Sequence, residues 1–177
     1  LGAVAKFAAG GKTIGKKDVA QQAIAYGNVY VARIAMGANP QQTLQALREA
    51  EAYPGPSLII AYSHCIAHGI DMAAGLRQQK RAVDSGHWPL IRYNPVVREE
   101  GGVPFTLDSL RPSIPLAEYR KHEGRFRQLA RENPAEAERL GEIANQAAKL
   151  RWDVYEKMAG RTAADFHADT RRERVKR

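Results

Sequence analysis

An α/β fold built on a parallel sheet is predicted by three features of this sequence. Val29-Tyr30-Val31-Ala32-Arg33-Ile34-Ala35-Met36 is β-branched and aromatic in its first half, and Gly37 ends it. Leu58 to Tyr62 is a second run of strand length, apolar throughout, as in a strand buried on both faces. Between them a helix opens at Asn39-Pro40 and stops at Tyr53-Pro54. Strand, helix and strand within about 35 residues make a βαβ unit, which requires parallel strands and a right-handed crossover.

The elements follow in order. Residues 1–17 are rich in Gly, Ala and Lys, and Leu1-Gly2-Ala3-Val4-Ala5 reads as the interior of a longer polypeptide. Gly10-Gly11-Lys12-Thr13 matches the end of a phosphate-binding loop. The upstream glycine of that motif would fall at Lys6, and no strand precedes it, so a flexible turn with solvated lysines is expected. The first helix is capped by Asp18, carries Gln21 at the third position and closes at Gly27; Val19, Ala23, Ile24 and Tyr26 give its apolar face. In the second helix Leu44, Leu47 and Ala50 share a face. A third helix is predicted over Asp71–Ser85 with Gly86 as its stop, then a strand over Trp88–Tyr93 whose proline marks either a sheet edge or the strand's first residues. Prolines 95, 104, 112 and 115 predict an extended stretch from Asn94 to Asn133, anchored by Phe105, Leu107 and Leu110. Asn133-Pro134 opens a long amphipathic helix whose stripe Leu140, Ile143, Ala147, Leu150, Val154, Met158 is expected in the core. The domain plan is thus 1–110 α/β, 111–133 extended linker, 134–160 helix and 161–177 a basic tail that frays.

At 177 residues the chain can remove about 70% of its extended surface from water. No apolar run reaches the roughly 20 residues that span a bilayer, and no signal-peptide pattern is present, so no membrane association and a cytoplasmic location are expected. One cysteine forms no internal disulfide, which fits a reducing compartment. The net charge of +8 raises the alternative of a basic nucleic-acid-binding module. Acidic residues are interspersed along most of the length, however, and the basic excess thickens only over residues 171–177.

Cys65, with His64 and His68 beside it, falls just beyond the second predicted strand, where open parallel sheets gather their chemistry. Four readings compete for the thiol. It can be a buried small hydrophobe, a nucleophile activated by an imidazole, or a zinc ligand with His68, although structural zinc wants four ligands. It can also be a ligand of an iron–sulfur cluster, which needs four thiolates; this chain has one, so three would come from elsewhere.

Successive blocks resemble one family. They are residues 2–9, Lys16-Lys17-Asp18, Tyr26-Gly27-Asn28-Val29-Tyr30-Val31-Ala32, Ala35-Met36-Gly37-Ala38-Asn39 and residues 53–62. Cys65-Ile66-Ala67-His68-Gly69, Gln79-Lys80-Arg81-Ala82-Val83, Arg92-Tyr93-Asn94-Pro95 and residues 104–109 continue the series. The chain is similar to the C-terminal part of the thiamine diphosphate-binding domain of pyruvate:ferredoxin (flavodoxin) oxidoreductase, closely over residues 1–110 and more loosely along the long helix. The resemblance implies oxidative decarboxylation of pyruvate with coenzyme A to acetyl-CoA and carbon dioxide, with electrons passing through iron–sulfur clusters to ferredoxin or flavodoxin. It implies that Cys65, in Tyr62-Ser63-His64-Cys65-Ile66-Ala67-His68-Gly69, is the fourth ligand of the 4Fe-4S cluster nearest the thiamine. His64 stands where members often carry proline, and His68 is implied to support the loop or hydrogen-bond a cluster sulfur. Thiamine diphosphate, Mg2+, the other three cysteines and the pyruvate-binding arginine are implied to belong to upstream domains of the same polypeptide, in a homodimer. On that basis residues 1–177 alone are expected to hold no cofactor and to be inactive. A related 2-oxoacid:ferredoxin oxidoreductase with another substrate is the neighbouring alternative.

Overall fold

The structure, a computed structural model, describes residues 1–160; the basic tail over 161–177 lies outside the described residues. Capping chemistry sets the helix starts. Asp18 Oδ1 accepts the Gln21 N–H at 3.2 Å and opens α1 (Val19–Ile24); Asn39 Oδ1 accepts the Gln42 N–H at 2.9 Å and opens α2 (Pro40–Ala52). Strand β1 (Tyr30–Ile34) is buried at all five positions and pairs in parallel with β2 (Ser57–Ala61), from Tyr30 opposite Ser57 to Ile34 opposite Ala61. The βαβ unit is therefore present.

The sheet as a whole is mixed, which corrects the expectation of a parallel one. Its order is β2-β1-β3-β4, with β3 (Ile91–Tyr93) antiparallel to β1 and β4 (Phe105–Leu107) antiparallel to β3. The path of α3 (Gly75–Asp84) explains the reversal. Gln79 Oε1 on this helix accepts the Gly37 N–H at 2.8 Å, and Trp88 Nε1, just past it, donates to the Ile34 carbonyl at 3.1 Å. The helix thus lies across the carboxyl end of β1 instead of returning along a sheet face. The chain is still at that end when β3 begins, and can enter only antiparallel. For the same reason β3 is interior, not an edge, and Pro89 takes the second of its two expected places, ahead of the paired residues. The edges are β2 and β4; the ends of β2 are exposed and its middle is half-buried, so its apolar run is not covered on both faces.

Gly37 makes this crossing feasible. A Cβ there would lie 2.8 Å from both Cα and the carbonyl oxygen of Leu76, atoms that cannot swing away. Gly37→Ala is expected to push α3 off the strand end at a cost of about 1–3 kcal/mol. Hydrogen exchange of α3 in the full-length polypeptide should rise accordingly, and unchanged protection would refute the steric account.

Residues 94–133 are not extended. The prolines punctuate elements rather than forbid them. Pro95 is the first residue of α4 (Pro95–Glu99), behind an Asn94 cap, Pro104 precedes β4, and Pro115 stands just before α5 (Leu116–Arg120). Helix α6 (Gly124–Glu132) follows, and α7 (Pro134–Ala159) is the predicted long helix. Of the three expected anchors Phe105 is buried and Leu107 packs against the core, but Leu110 is 89% exposed.

Two helices are rotated from the predicted faces. On α2, Gln42, Thr43 and Ala46 are buried while Leu44 and Leu47 are about half exposed. A polar network sets that rotation. Gln42 Nε2 donates to the Arg33 carbonyl and to Asp108, Tyr30 O–H donates to Glu49, and Arg92 pairs with Glu49 and forks onto Asp108 at 2.8 and 2.9 Å. On α7, Leu140 is buried but Leu150 is 66% exposed, with Ile143 and Val154 also outward. The inward face runs instead through Leu140, Ala144, Ala148, Trp152 and Tyr155. Tyr155 fixes it, since its hydroxyl accepts from Arg33 Nη1 at 3.0 Å and donates to Asp18 at 2.6 Å.

Four clusters result, one of them Ala35, Val83 and Leu90 at the carboxyl end of β1. Tyr30, Ala32 and Ile34 meet α2 on one sheet face. Val31, Ile91, Tyr93 and Phe105 meet α1 and the end of α7 on the other. Beyond the sheet, α3, α5, α6 and α7 enclose Ala82, Leu116, Tyr119 and Phe126. The amino-terminal turn is held rather than loose. Gly2 N–H donates to the Lys12 carbonyl at 2.8 Å and Val4 N–H to that of Arg125 at 2.9 Å, closing residues 2–12 against α6.

Candidate functional site

Cys65 follows β2 in an extended conformation and opens a single 3-10 turn, Ile66–His68, that Gly69 closes with φ +67°. Its side chain is partly exposed, not sealed among aliphatic groups, so the reading of a buried hydrophobe does not hold. The loop stands at the carboxyl end of the parallel pair, as the sequence predicts.

The two histidines take different places. His64 is engaged by α3. Its Nδ1 lies 3.0 Å from Gln79 Nε2, and its ring packs on Gly75 so closely that a Cβ there would come within 2.4 Å. Gln79 therefore bridges the cysteine loop and the end of β1. His68 is half-buried, and its Nδ1 is buried without a hydrogen-bond partner. Burial, then the positive charges of Arg125 and Lys16, hold its imidazole below the ordinary range, with Glu123 opposing. Lys16 is itself lowered by burial and by Arg125 and Lys12, so the loop faces a positive environment. Among the described residues no three His, Cys, Asp or Glu side chains converge on a point that could hold a metal ion, so Cys65 and His68 are not joined there by further zinc ligands.

Beneath the loop lies a polar core that sequence reasoning missed. Tyr62 O–H donates to Glu123 Oε1 at 3.1 Å and lies 2.8 Å from Tyr119 Oη. Gln78 Nε2 donates to the same carboxylate at 3.2 Å and to the Tyr119 carbonyl at 3.1 Å. Arg125 Nε donates to Glu123 Oε2, and Arg125 Nη2 to Tyr119 Oη at 3.2 Å. Glu123 is fully buried, and its satisfied lone pairs make that burial tolerable. Burial raises the phenols of Tyr62 and Tyr119, with the Glu123 charge adding to it. Nothing in the pattern of residues 116–126 marks Glu123 or Arg125; the one hint in the sequence is the paired polar Gln78-Gln79.

His87 stacks on Tyr119, with ring centroids 4.4 Å apart. Burial, and the nearby charges of Arg151, Arg125, Lys16 and Arg33, hold it well below 6.5. Below pH 6.5 the unfolded chain therefore binds a proton that the folded one refuses, and stability falls as the pH falls. From pH 7 to 5 the hydrogen exchange of α5 in the full-length polypeptide is expected to slow less than the loss of base catalysis alone requires, and His87→Gln should remove that difference. An equal response in both proteins would remove the assignment.

A mixed α/β segment that presents one partly exposed thiol, in a loop that faces Arg125 and Lys16 at the carboxyl end of a parallel strand pair, is what the fold and the site define. The chain is 52% identical over 160 residues to a pyruvate-flavodoxin oxidoreductase of Trichormus variabilis, 50% over 161 residues to one of Rhodospirillum rubrum, and 49% over 158 residues to a pyruvate:ferredoxin oxidoreductase of Moorella thermoacetica. These matches take in 89–90% of this chain but only 13–14% of each relative. The resemblance read from the residue blocks is thus shown: nine tenths of the chain is similar to one segment of pyruvate-flavodoxin oxidoreductases. No protein-family model matches it. Among the described residues no helix is long and apolar enough to cross a membrane.

Proposed function

We propose that this chain is the part of a pyruvate:flavodoxin or pyruvate:ferredoxin oxidoreductase that completes, through Cys65, the 4Fe-4S cluster nearest the thiamine, and that walls the active site. The observation that carries the reading is the placement of the thiol. It is partly exposed on a loop fixed to the sheet end, in a positive environment, with the buried Nδ1 of His68 unsatisfied three residues on. These residues fit one corner of an anionic cluster. A thiolate ligand needs access, and positive groups favour added electron density. Large exposed apolar side chains at the same end, Met36, Ile66, Met72 and Leu76, supply a surface for the upstream domains that bring the other three thiolates.

In the intact enzyme pyruvate and coenzyme A give acetyl-CoA and carbon dioxide, and two electrons leave singly for ferredoxin or flavodoxin. Thiamine diphosphate with Mg2+, held by the upstream domains, supplies the carbanion chemistry when bound. Within this chain Cys65 would supply the thiolate that holds one iron of the cluster. The neutral imidazole of His68 can donate Nδ1–H toward a cluster sulfur and so tune the potential. Arg125 and Lys16 favour the reduced state by their charge.

The test is spectroscopic. In the full-length enzyme, Cys65→Ala is expected to remove one cluster's signal from the electron paramagnetic resonance of the reduced protein and to lower its iron content. A complete set of signals together with wild-type turnover would overturn the proposal.

A further inference from the structure

The cysteine loop is tied down on both sides of Cys65 to the same two residues. Three residues before the thiol, the Tyr62 hydroxyl donates to Glu123 at 3.1 Å. Four residues after it, the Gly69 carbonyl accepts the Gly124 N–H at 3.0 Å and Arg127 Nη2 at 3.4 Å. Glu123 and Gly124 are neighbours at the start of α6, so one dipeptide holds both ends of an eight-residue loop, 62–69. The glycines let the backbones touch. A Cβ on Gly124 would lie 3.1 Å from Cα and 3.2 Å from the carbonyl oxygen of Gly69; a Cβ on Gly69 would lie 2.9 Å from Gly124 Cα. Gly69 is also needed for its left-handed φ, whereas Gly124 has no positive φ, so the close approach is what a side chain at 124 would disturb.

We infer that Glu123-Gly124 is a positioning clip for the Cys65 loop. It holds the thiol at a set height and direction before iron and sulfide arrive, because Tyr62 is anchored through the buried Glu123 carboxylate and Gly69 through backbone contact. A preset ligand leaves less of the chain to be ordered when the cluster forms. Glu123 and Gly124 need not touch the cluster; they act through the loop. The inference rests on the reading of Cys65 as a cluster ligand.

The experiment uses the full-length enzyme with Tyr62→Phe, Gly124→Ala and, as a control, Gly141→Ala on α7, where a Cβ meets only a side-chain atom, Arg120 Nη1, at 3.2 Å. Two readouts are taken: the rate at which iodoacetamide alkylates Cys65 in cluster-free enzyme, and the g-values of the reduced, cluster-loaded enzyme. Tyr62→Phe gives up a bond to a charged acceptor and should raise alkylation about tenfold. Gly124→Ala should act in the same direction, both should shift the g-values of one cluster, and Gly141→Ala should do neither. Alkylation unchanged in both Tyr62→Phe and Gly124→Ala overturns the clip whatever the cluster does. A complete set of cluster signals in Cys65→Ala overturns the ligand reading instead. The two failures are distinguishable because alkylation requires no cluster.

Discussion

Turnover of Cys65→Ala in the full-length enzyme is expected to fall more than about 100-fold with flavodoxin or ferredoxin as acceptor, above the range seen when only an outer partner of a metal ligand is lost. The KM for pyruvate should stay within about twofold. The asymmetry follows from where Cys65 sits. It stands at the carboxyl end of β2 on a loop held by its own contacts, with His64 on Gln79 and Gly69 on Gly124. Removing one sulfur disturbs none of those contacts, so under the proposed role the wall of the active site would remain while the electron exit would be damaged. Stopped-flow reduction of the clusters by pyruvate, beside steady-state kinetics, separates the two effects. A raised KM with unchanged cluster reduction would contradict the assignment.

Arg125→Met carries the largest expected cost in stability, about 3–5 kcal/mol. Arg125 is the cation that faces the fully buried Glu123, and it also donates to Tyr119 Oη. Methionine fills much of the same volume, so the loss is electrostatic rather than a cavity. The Glu123 carboxylate would keep Tyr62 and Gln78 as donors and lose its counter-charge. The double variant Arg125→Met/Glu123→Gln should recover most of the loss, because an amide needs hydrogen bonds but no cation. Hydrogen exchange across α3, α5 and α6 measures the difference. Equal destabilisation in single and double variants would show that packing, not the charge, holds the corner.

The helix starts were legible because capping is local. Asp18, Asn39 and Asn133 each accept the N–H of the residue three positions on, as their spacing predicts. The βαβ unit and the place of Cys65 beyond its second strand were legible for a related reason, since both follow from runs of adjacent residues. The face of α7 was not. Two stripes of helical period run along it, and the one with the larger apolar groups was the natural choice. The close approach of neighbouring helices selected the stripe with Ala144 and Ala148 instead, and Tyr155, bonded to Arg33 and Asp18, locked that rotation. Prolines 95 and 115 do not mark an extended stretch because a proline forbids a helix interior while favouring a helix's first turn, and residue type alone does not tell the two apart.

By itself, then, the sequence determined where α1, α2 and α7 begin, that two parallel strands flank α2, that the single thiol stands past the second of them, and which oxidoreductases the chain resembles. The tertiary structure alone decided that β3 runs antiparallel, which faces of α2 and α7 turn inward, and that Glu123, Gly124 and Arg125 reach back under a loop almost 60 residues earlier. The division has a physical cause. Caps and turns are settled by atoms within four residues of one another, whereas strand direction, helix rotation and a buried ion pair depend on surfaces that only folding brings together.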